Sequence, residues 1–431
     1  MLLRRGGGVL AARLGQAALN ALAGWFVAGR LGPEAQGAYT LSIFVIMVVS
    51  SVVNGGVGLA AVPVLRKGEA SLAAVIRAQV LWCTAVCAGL GVAVVVAWRV
   101  GAHAALDSAL GWGPTETVTA GVAVGALLLF DVLVYNLNAR GRVLDGPLVN
   151  LGRAALFLAA VSMLLGRGEP GRGWQSVLVV YAGAQTLAMV VVLIRVWSTA
   201  ERPATPTAEP ATALMKSLVR HGWVGQLSSV VSLLHLRLDL ALVAWWHGIG
   251  IVGVYSVAVM VGELLWLISG ALQPILVYTA SAVDDPKGRD QTTARAVRLG
   301  FFVTALAGVS LWIVAPHLLG LLFGDAYSGA IAPLRALLPG IIGFSAGAVL
   351  AGDFIGRGRP AWNTQASLLT VVVNLGTGLW LIPAHGALGA AWASTAAYLA
   401  GTMLMLIRFR HGTNLTWWEI LRPRSSDILP S

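Results

Sequence analysis

Charge is what this 431-residue chain has little of: only 11% of its residues are Asp, Glu, Lys or Arg, and just 18 are acidic. Each shortage removes a class of protein. With 57% hydrophobic residues and a mean hydropathy of +0.80, a soluble domain would expose far too much apolar surface. There are two cysteines, Cys83 and Cys87, four apart on one apolar stretch. They read as two small hydrophobes rather than a disulfide framework or a metal site. No His, Cys and Asp cluster has metal-ligand spacing, and no metal or cofactor is expected. Neither Gly-Lys-Ser nor Gly-Lys-Thr occurs, so the phosphate-cradling loop of an ATPase is missing. The longest hydrophilic connections run to about 20 residues, too short for a nucleotide-binding domain.

Long apolar runs are what it has instead. A bilayer core needs about 20 apolar residues per helix. Twelve such spans are predicted, at 7–30, 38–64, 72–98, 117–139, 143–166, 175–197, 217–246, 251–280, 293–322, 330–355, 361–383 and 386–408. The first lacks a clear small-residue cleavage site and reads as a retained helix rather than a signal peptide. The fold class is therefore an all-α polytopic membrane protein.

The basic residues are distributed unevenly over the connections. Of the 29 Lys and Arg, 23 fall on one set of loop ends. Five (Arg30, Arg99, Arg167, Arg172 and Arg335) fall on the other, and Arg237 lies within a span. Cationic loops stay in the cytoplasm, so both termini are expected there, in a bacterial cytoplasmic (inner) membrane. The net charge of +11 then follows from topology and faces anionic headgroups. Nucleic acid is not an expected partner. Trp98, Trp112, Trp245, Trp246, Trp417 and Trp418 sit at span ends, as an interfacial aromatic belt. Trp25, Trp266 and Trp392 lie deeper, as packing residues or as the lining of a lipid-tail or sugar path.

The chain repeats itself weakly. Gly37-Ala38-Tyr39 opens span two and Gly253-Val254-Tyr255 opens span eight, an offset of 216. Gly141-Arg142 and Gly356-Arg357 match at an offset of 215. Between the halves lies a Pro-rich stretch, Glu201 to Pro210, of linker composition. The predicted organisation is an N-terminal six-helix lobe (1–200), a cytoplasmic linker (201–211), a C-terminal six-helix lobe (212–410) and a cytoplasmic tail (411–431). Six spans return the chain to the same side, so the lobes form a parallel repeat with a substrate site expected between them near mid-membrane.

Several segments carry a family resemblance: Gly29 to Tyr39, Leu236-Arg237-Leu238-Asp239, Val252 to Ser256, Leu322 to Tyr327, Pro333-Leu334-Arg335, Asn374 and Leu381 to Ala391. In this order and spacing the chain resembles the polysaccharide biosynthesis flippases of the O-antigen type, within the multidrug/oligosaccharidyl-lipid/polysaccharide exporter superfamily. The resemblance covers about residues 7–410. It implies transport of undecaprenyl-pyrophosphate-linked oligosaccharide from the inner to the outer leaflet by alternating access, for cell-surface polysaccharide or lipopolysaccharide export. It also implies a central cavity lined by helices one, two, seven and eight. Expected partners are the lipid-linked oligosaccharide, membrane lipids and the polysaccharide polymerase machinery.

An ionisable group within a span costs roughly 2.5–3.5 kcal/mol on insertion scales, which makes it a functional candidate. Arg237 is the one deep cation, and its planar fork suits phosphate oxygens. It either contacts the ligand or forms an interhelical ion pair with Glu263 or Asp353. Asp239 lies about 200° around the helix from it and is poorly placed as its partner. His235 and Asp239, four apart, share a face that could relay a proton, hold a cation or serve as a structural pair. Asp131 and Asp353 occupy roughly equivalent places in the two halves. Asn20, Asn54, Asn136, Asn138 and Asn374 suit sugar hydroxyls or interhelical bonding. Substrate contact is assigned to Arg237, Asn20, Asn54, Glu263 and Asn374. Ion coupling or a charge network is assigned to Asp239, His235, Asp131 and Asp353. Arg77, Arg153 and Arg335 supply peripheral positive field. Pro274, Pro316 and Pro339, with the Gly340, Gly343 and Gly347 face, are bending and sliding points or plain packing.

Two rival functions use similar sequences. A polytopic glycosyltransferase or polymerase needs acidic outer loops, but the largest, about 99–116, offers only Asp107 and Glu116. An enzyme is thus not expected. A multidrug/cation antiporter of the same superfamily shares span count and linker. The Leu322 to Tyr327 and Ile382 to Ala391 segments favour the polysaccharide branch.

Overall fold

The apolar runs fold as helices, and every element among the described residues is helical. The computed structural model describes residues 2–101, 104, 107, 110–166, 173–198, 210–270, 272–273, 276, 285–413 and 415–422. Arg167, Arg172, Arg202, Pro274, Arg424 and linker residues 201–209 lie outside the described residues. In chain order the helices are α1 (Leu2–Val53), α2 (Val57–Arg66), α3 (Leu72–Arg99), α4 (Pro114–Ala139), α5 (Asp145–Gly166) and α6 (Trp174–Trp197). There follow α7 (Ala211–His247), α8 (Ile249–Glu263), α9 (Pro286–Phe323), a 3-10 turn (Asp325–Ala330), α10 (Ile331–Gly356), α11 (Ala361–His411) and the short α12 (Trp417–Leu421).

Nine helices among the described residues are long and apolar enough to cross a membrane. The chain is a multi-pass membrane protein. Large apolar side chains lie open on these helices, Val92 at 64% and Leu321 at 85% exposure, as lipid contact requires. The helices do not match the twelve predicted spans one for one. At 52 and 51 residues, α1 and α11 are each more than twice the roughly 20 residues of a single span. Each contains one non-helical glycine: Gly32 (φ 76°, ψ 171°) and Gly386 (φ 55°, ψ −129°). These breaks fall at the predicted connections between spans one and two and between spans eleven and twelve. Gly32 precedes Pro33, which disfavours helical backbone at the residue before it. The predicted span 38–64 is interrupted at 54–56, where Gly55 and Gly56 adopt left-handed backbone between α1 and α2.

Contacts divide the chain into two units. The first comprises Met1–Leu31 and Ala38–Leu233. Its interior includes Val57, Ala61, Val75, Leu128 and Val132, joined by Leu214 and Leu218 from α7. Gln79 and Asn136 exchange two buried amide hydrogen bonds, of 3.2 and 2.8 Å. Trp112, assigned above to the interfacial belt, is instead buried and donates to Ser42 Oγ at 2.7 Å. The start of α7 lies here because Gly222 and Gly56 meet backbone to backbone, and Gln226 donates to the Ser51 carbonyl. The division by contacts thus falls at 233/234, within α7, whereas the sequence-based lobe boundary stood at 212.

The second unit comprises Gly32–Gly37 and Leu234–Ser431. Val297, Val349, Leu350, Phe354, Met405 and Phe409 build one core, closed at its end by Ile420 of α12. The Gly340, Gly343 and Gly347 face packs directly on Thr395, Leu399 and Thr402 of α11. Residues 32–37 dock on α8. Gly253 lies against the Pro33 carbonyl and Gly37 against the Ile249 carbonyl, approaches that no Cβ would permit. Gln36 donates to Ser256 at 3.5 Å. The two glycines matched by the 216-residue offset are thus neighbours.

Candidate functional site

The site lies in the second unit, where α7 and α8 run back to back through the single-residue turn at Gly248 (φ 78°, ψ 176°). His247 at the end of α7 donates through Nε2 to the Ile382 carbonyl of α11 at 2.7 Å. Arg237 lies ten residues before the end of α7, and so about 15 Å from the turn. Glu263, the last residue of α8, meets it there. Arg237 Nη2 donates to Glu263 Oε2 at 2.8 Å, and Nη1 donates to Oε1, a two-bond fork. Both side chains keep some exposure, 29% for Arg237 and 19% for Glu263. The interhelical pair is therefore the arrangement present, and its acid is Glu263.

Two residues on, Asp239 points elsewhere, as the helical angle requires. Its carboxylate is buried and accepts three hydrogen bonds: Tyr255 hydroxyl at 2.5 Å, Ser394 hydroxyl at 2.8 Å and the Leu240 amide at 2.9 Å. Asn374 Nδ2 donates to Ser394 Oγ at 3.1 Å. Four residues of α7, α8 and both arms of α11 are thus tied in one buried knot. Burying a carboxylate is costly unless donors replace its water, and here they do. Asn374 Oδ1 is buried with no hydrogen-bond partner among the described residues. The His235 ring packs against Phe344 and Tyr398, which also surround Trp266.

The remaining sequence candidates are placed apart from this group. Asp353 is fully buried, and it accepts from Thr293 Oγ1 at 2.8 Å and Arg357 Nε at 2.5 Å. Arg357 also reaches Asp290, at 2.8 Å. Burial alone would lower the pKa of the Arg357 guanidinium, but the bonds and charges of the two carboxylates outweigh it and raise it. Asp353 is therefore not the partner of Arg237. In the first unit, Asn20 is exposed on α1 and Asn54 is buried in the α1–α2 turn. Asp131 is exposed on α4, within electrostatic reach of Arg153. It does not share the environment of Asp353, its counterpart by repeat. Sequence reasoning missed Ser394 and the use of the Tyr255 hydroxyl, because hydroxyls on apolar helices carry no periodic mark.

A sequence model of the family described as "Polysaccharide biosynthesis protein" matches residues 168–332. The lipid II flippase MurJ in an inward closed conformation superposes with a TM-score of 0.76 at 13% identity, over 93% of this chain and 87% of that one. An inward-facing multidrug resistance MATE transporter of the MOP superfamily gives 0.68 at 17% identity, over 92% and 94%. The chain has a MurJ- and MATE-like fold. A Vibrio cholerae MATE transporter shares it at 0.61, with 13% identity and 97% of both chains covered. No curated protein matches the sequence. The resemblance drawn from the motifs is met by the polysaccharide-biosynthesis match and by the MurJ- and MATE-like fold, and the similar structures are described as a flippase and as transporters.

Proposed function

We propose that the chain is a twelve-span flippase, with both termini cytoplasmic in a bacterial inner membrane. It moves undecaprenyl-pyrophosphate-linked oligosaccharide from the inner to the outer leaflet by alternating access. The observation that carries this reading is the Arg237–Glu263 fork, in a chain with a polysaccharide-biosynthesis match and a flippase-like fold. A guanidinium already paired with a carboxylate is neutralised at rest. A pyrophosphate presents pairs of terminal oxygens that accept the same two-bond fork and can take the place of Glu263. Asn374, with its open carbonyl oxygen, and Asn20 and Asn54 are assigned to sugar hydroxyls. Asp239, with His235 beside it on α7, is assigned to coupling: a cation or proton arriving at its carboxylate would loosen the bonds to α8 and α11. Asp131 and Asp353 are assigned to the wider charge network. Contact with a polysaccharide polymerase belongs to the same reading.

Reconstitution tests it. Proteoliposomes loaded with short-chain lipid-pyrophosphate oligosaccharide are scored for movement across the bilayer, with and without ion gradients. Transport by the wild-type protein and its loss in Arg237→Ala support the reading. Normal transport by a well-expressed Arg237→Ala protein sinks the binding role. The second reading, a multidrug/cation antiporter, is favoured by the buried Asp239 carboxylate and by the MATE-like fold. Gradient-driven efflux of organic cations, without oligosaccharide movement, would decide for it.

A further inference from the structure

A groove of about 410 Å³ opens between α5 and α6 in the first unit. Its walls are aliphatic, with Leu148, Leu156 and Leu187 exposed. Two guanidinium residues interrupt them. Arg195 lies in the last turn of α6, beside the highly exposed Trp197 that marks the headgroup level. Arg153 lies eight residues into α5 from Asp145, about 12 Å along the helix axis. We propose that this groove binds the phosphodiester headgroup of an anionic bilayer phospholipid, with the acyl chains lying along the leucines.

One general rule and two observations point to that ligand. Basic pockets between membrane helices at the interface take anionic headgroups. Asp145 is paired with Arg142 at 2.9 Å, and Arg153 donates to Asn150 at 3.3 Å. The charged residues that line the groove are two guanidinium groups, Arg153 and Arg195, and one carboxylate, Asp145. A net charge of one positive suits a monoanionic phosphodiester. It suits a pyrophosphate poorly, because that carries more charge and would meet the Asp145 carboxylate.

Native mass spectrometry of the full-length protein, delipidated in detergent and then titrated, reads the site directly. Phosphatidylglycerol should be retained about tenfold more tightly than phosphatidylcholine, and inorganic phosphate should not displace it. Arg195→Gln should lose about that tenfold preference, and Arg195→Lys should keep part of it. The Arg195 side chain is exposed, so the unfolding temperature of the lipid-free protein should not move. Asp145→Asn, which adds a net positive charge, should bind phosphatidylglycerol more tightly. Equal retention of the two lipids, or unchanged phosphatidylglycerol binding in Arg195→Gln, overturns the proposal. So does displacement by inorganic phosphate, or by stoichiometric undecaprenyl pyrophosphate. The readout is binding alone, so its failure leaves the transport reading untouched.

Discussion

Arg237 on α7 and Glu263 on α8, 26 residues apart in sequence, form a two-bond ion pair in the second unit. The pair answers the cost of placing a cation within a span, so a bound anion is not needed to hold Arg237 there. A ligand must then compete with Glu263, which makes the role of Arg237 separable by experiment. Arg237→Ala leaves Glu263 uncompensated and is expected to lower stability by about 1–3 kcal/mol, given the partial exposure of both groups. Arg237→Ala with Glu263→Gln should recover membrane yield and melting temperature. Transport separates the roles: it should stay lost in the recovered double variant if Arg237 binds substrate. Its return with stability would make the pair purely structural.

The Asp239 knot predicts a cooperative loss. Tyr255→Phe and Ser394→Ala each remove one donor from a buried carboxylate and should cost about 1 kcal/mol. The double variant should cost more than their sum, because among the described residues one backbone amide is then the donor left to Asp239. Thermal unfolding in detergent measures this, and simple additivity would show that the donors act independently.

Close approach at Gly253 predicts a position-specific effect. A Cβ there would overlap the Pro33 carbonyl, whereas one at Gly250, three residues earlier, meets nothing within 4 Å. Gly253→Ala should reduce folded yield severalfold, and Gly250→Ala should be neutral or mildly stabilising. Equal yields from the two variants would mean that the 32–37 segment yields at little cost.

Topology is expected from the 23-to-5 distribution of Lys and Arg. In a background lacking Cys83 and Cys87, cysteines at positions 205 and 426 should resist an impermeant thiol reagent in intact cells. One at position 107 should react. Labelling of position 205 from outside would reverse the orientation.

Much of this fold is legible without coordinates, for a simple reason. A helix within a bilayer must satisfy its own backbone, so span length and apolar content are local properties of the chain. The breaks at Gly32-Pro33 and Gly386 are equally local, and they fall where turns are predicted. The α7 division at 233/234 is not, because it depends on Gly222 finding Gly56 and on Leu214 and Leu218 finding the α2, α3 and α4 core.

The candidate site divides in the same way. Composition and hydropathy alone mark Arg237, Glu263, Asp239 and Asp353 as buried charges that need an explanation, since a charge in hydrocarbon is costly wherever it points. Which of them pair was decided by packing. The α7–α8 turn brings Glu263 rather than Asp353 to Arg237, and Asp353 is closed by Arg357 and Thr293 instead. Ser394 reaches Asp239 from 155 residues away, and Asn374 reaches Ser394 across the Gly386 break. Sequence by itself determined that this is a multi-helix membrane protein with a few buried polar groups, because burial of each helix is set residue by residue. Only the tertiary structure decided which polar groups meet, because that depends on the crossing of helices distant in the chain.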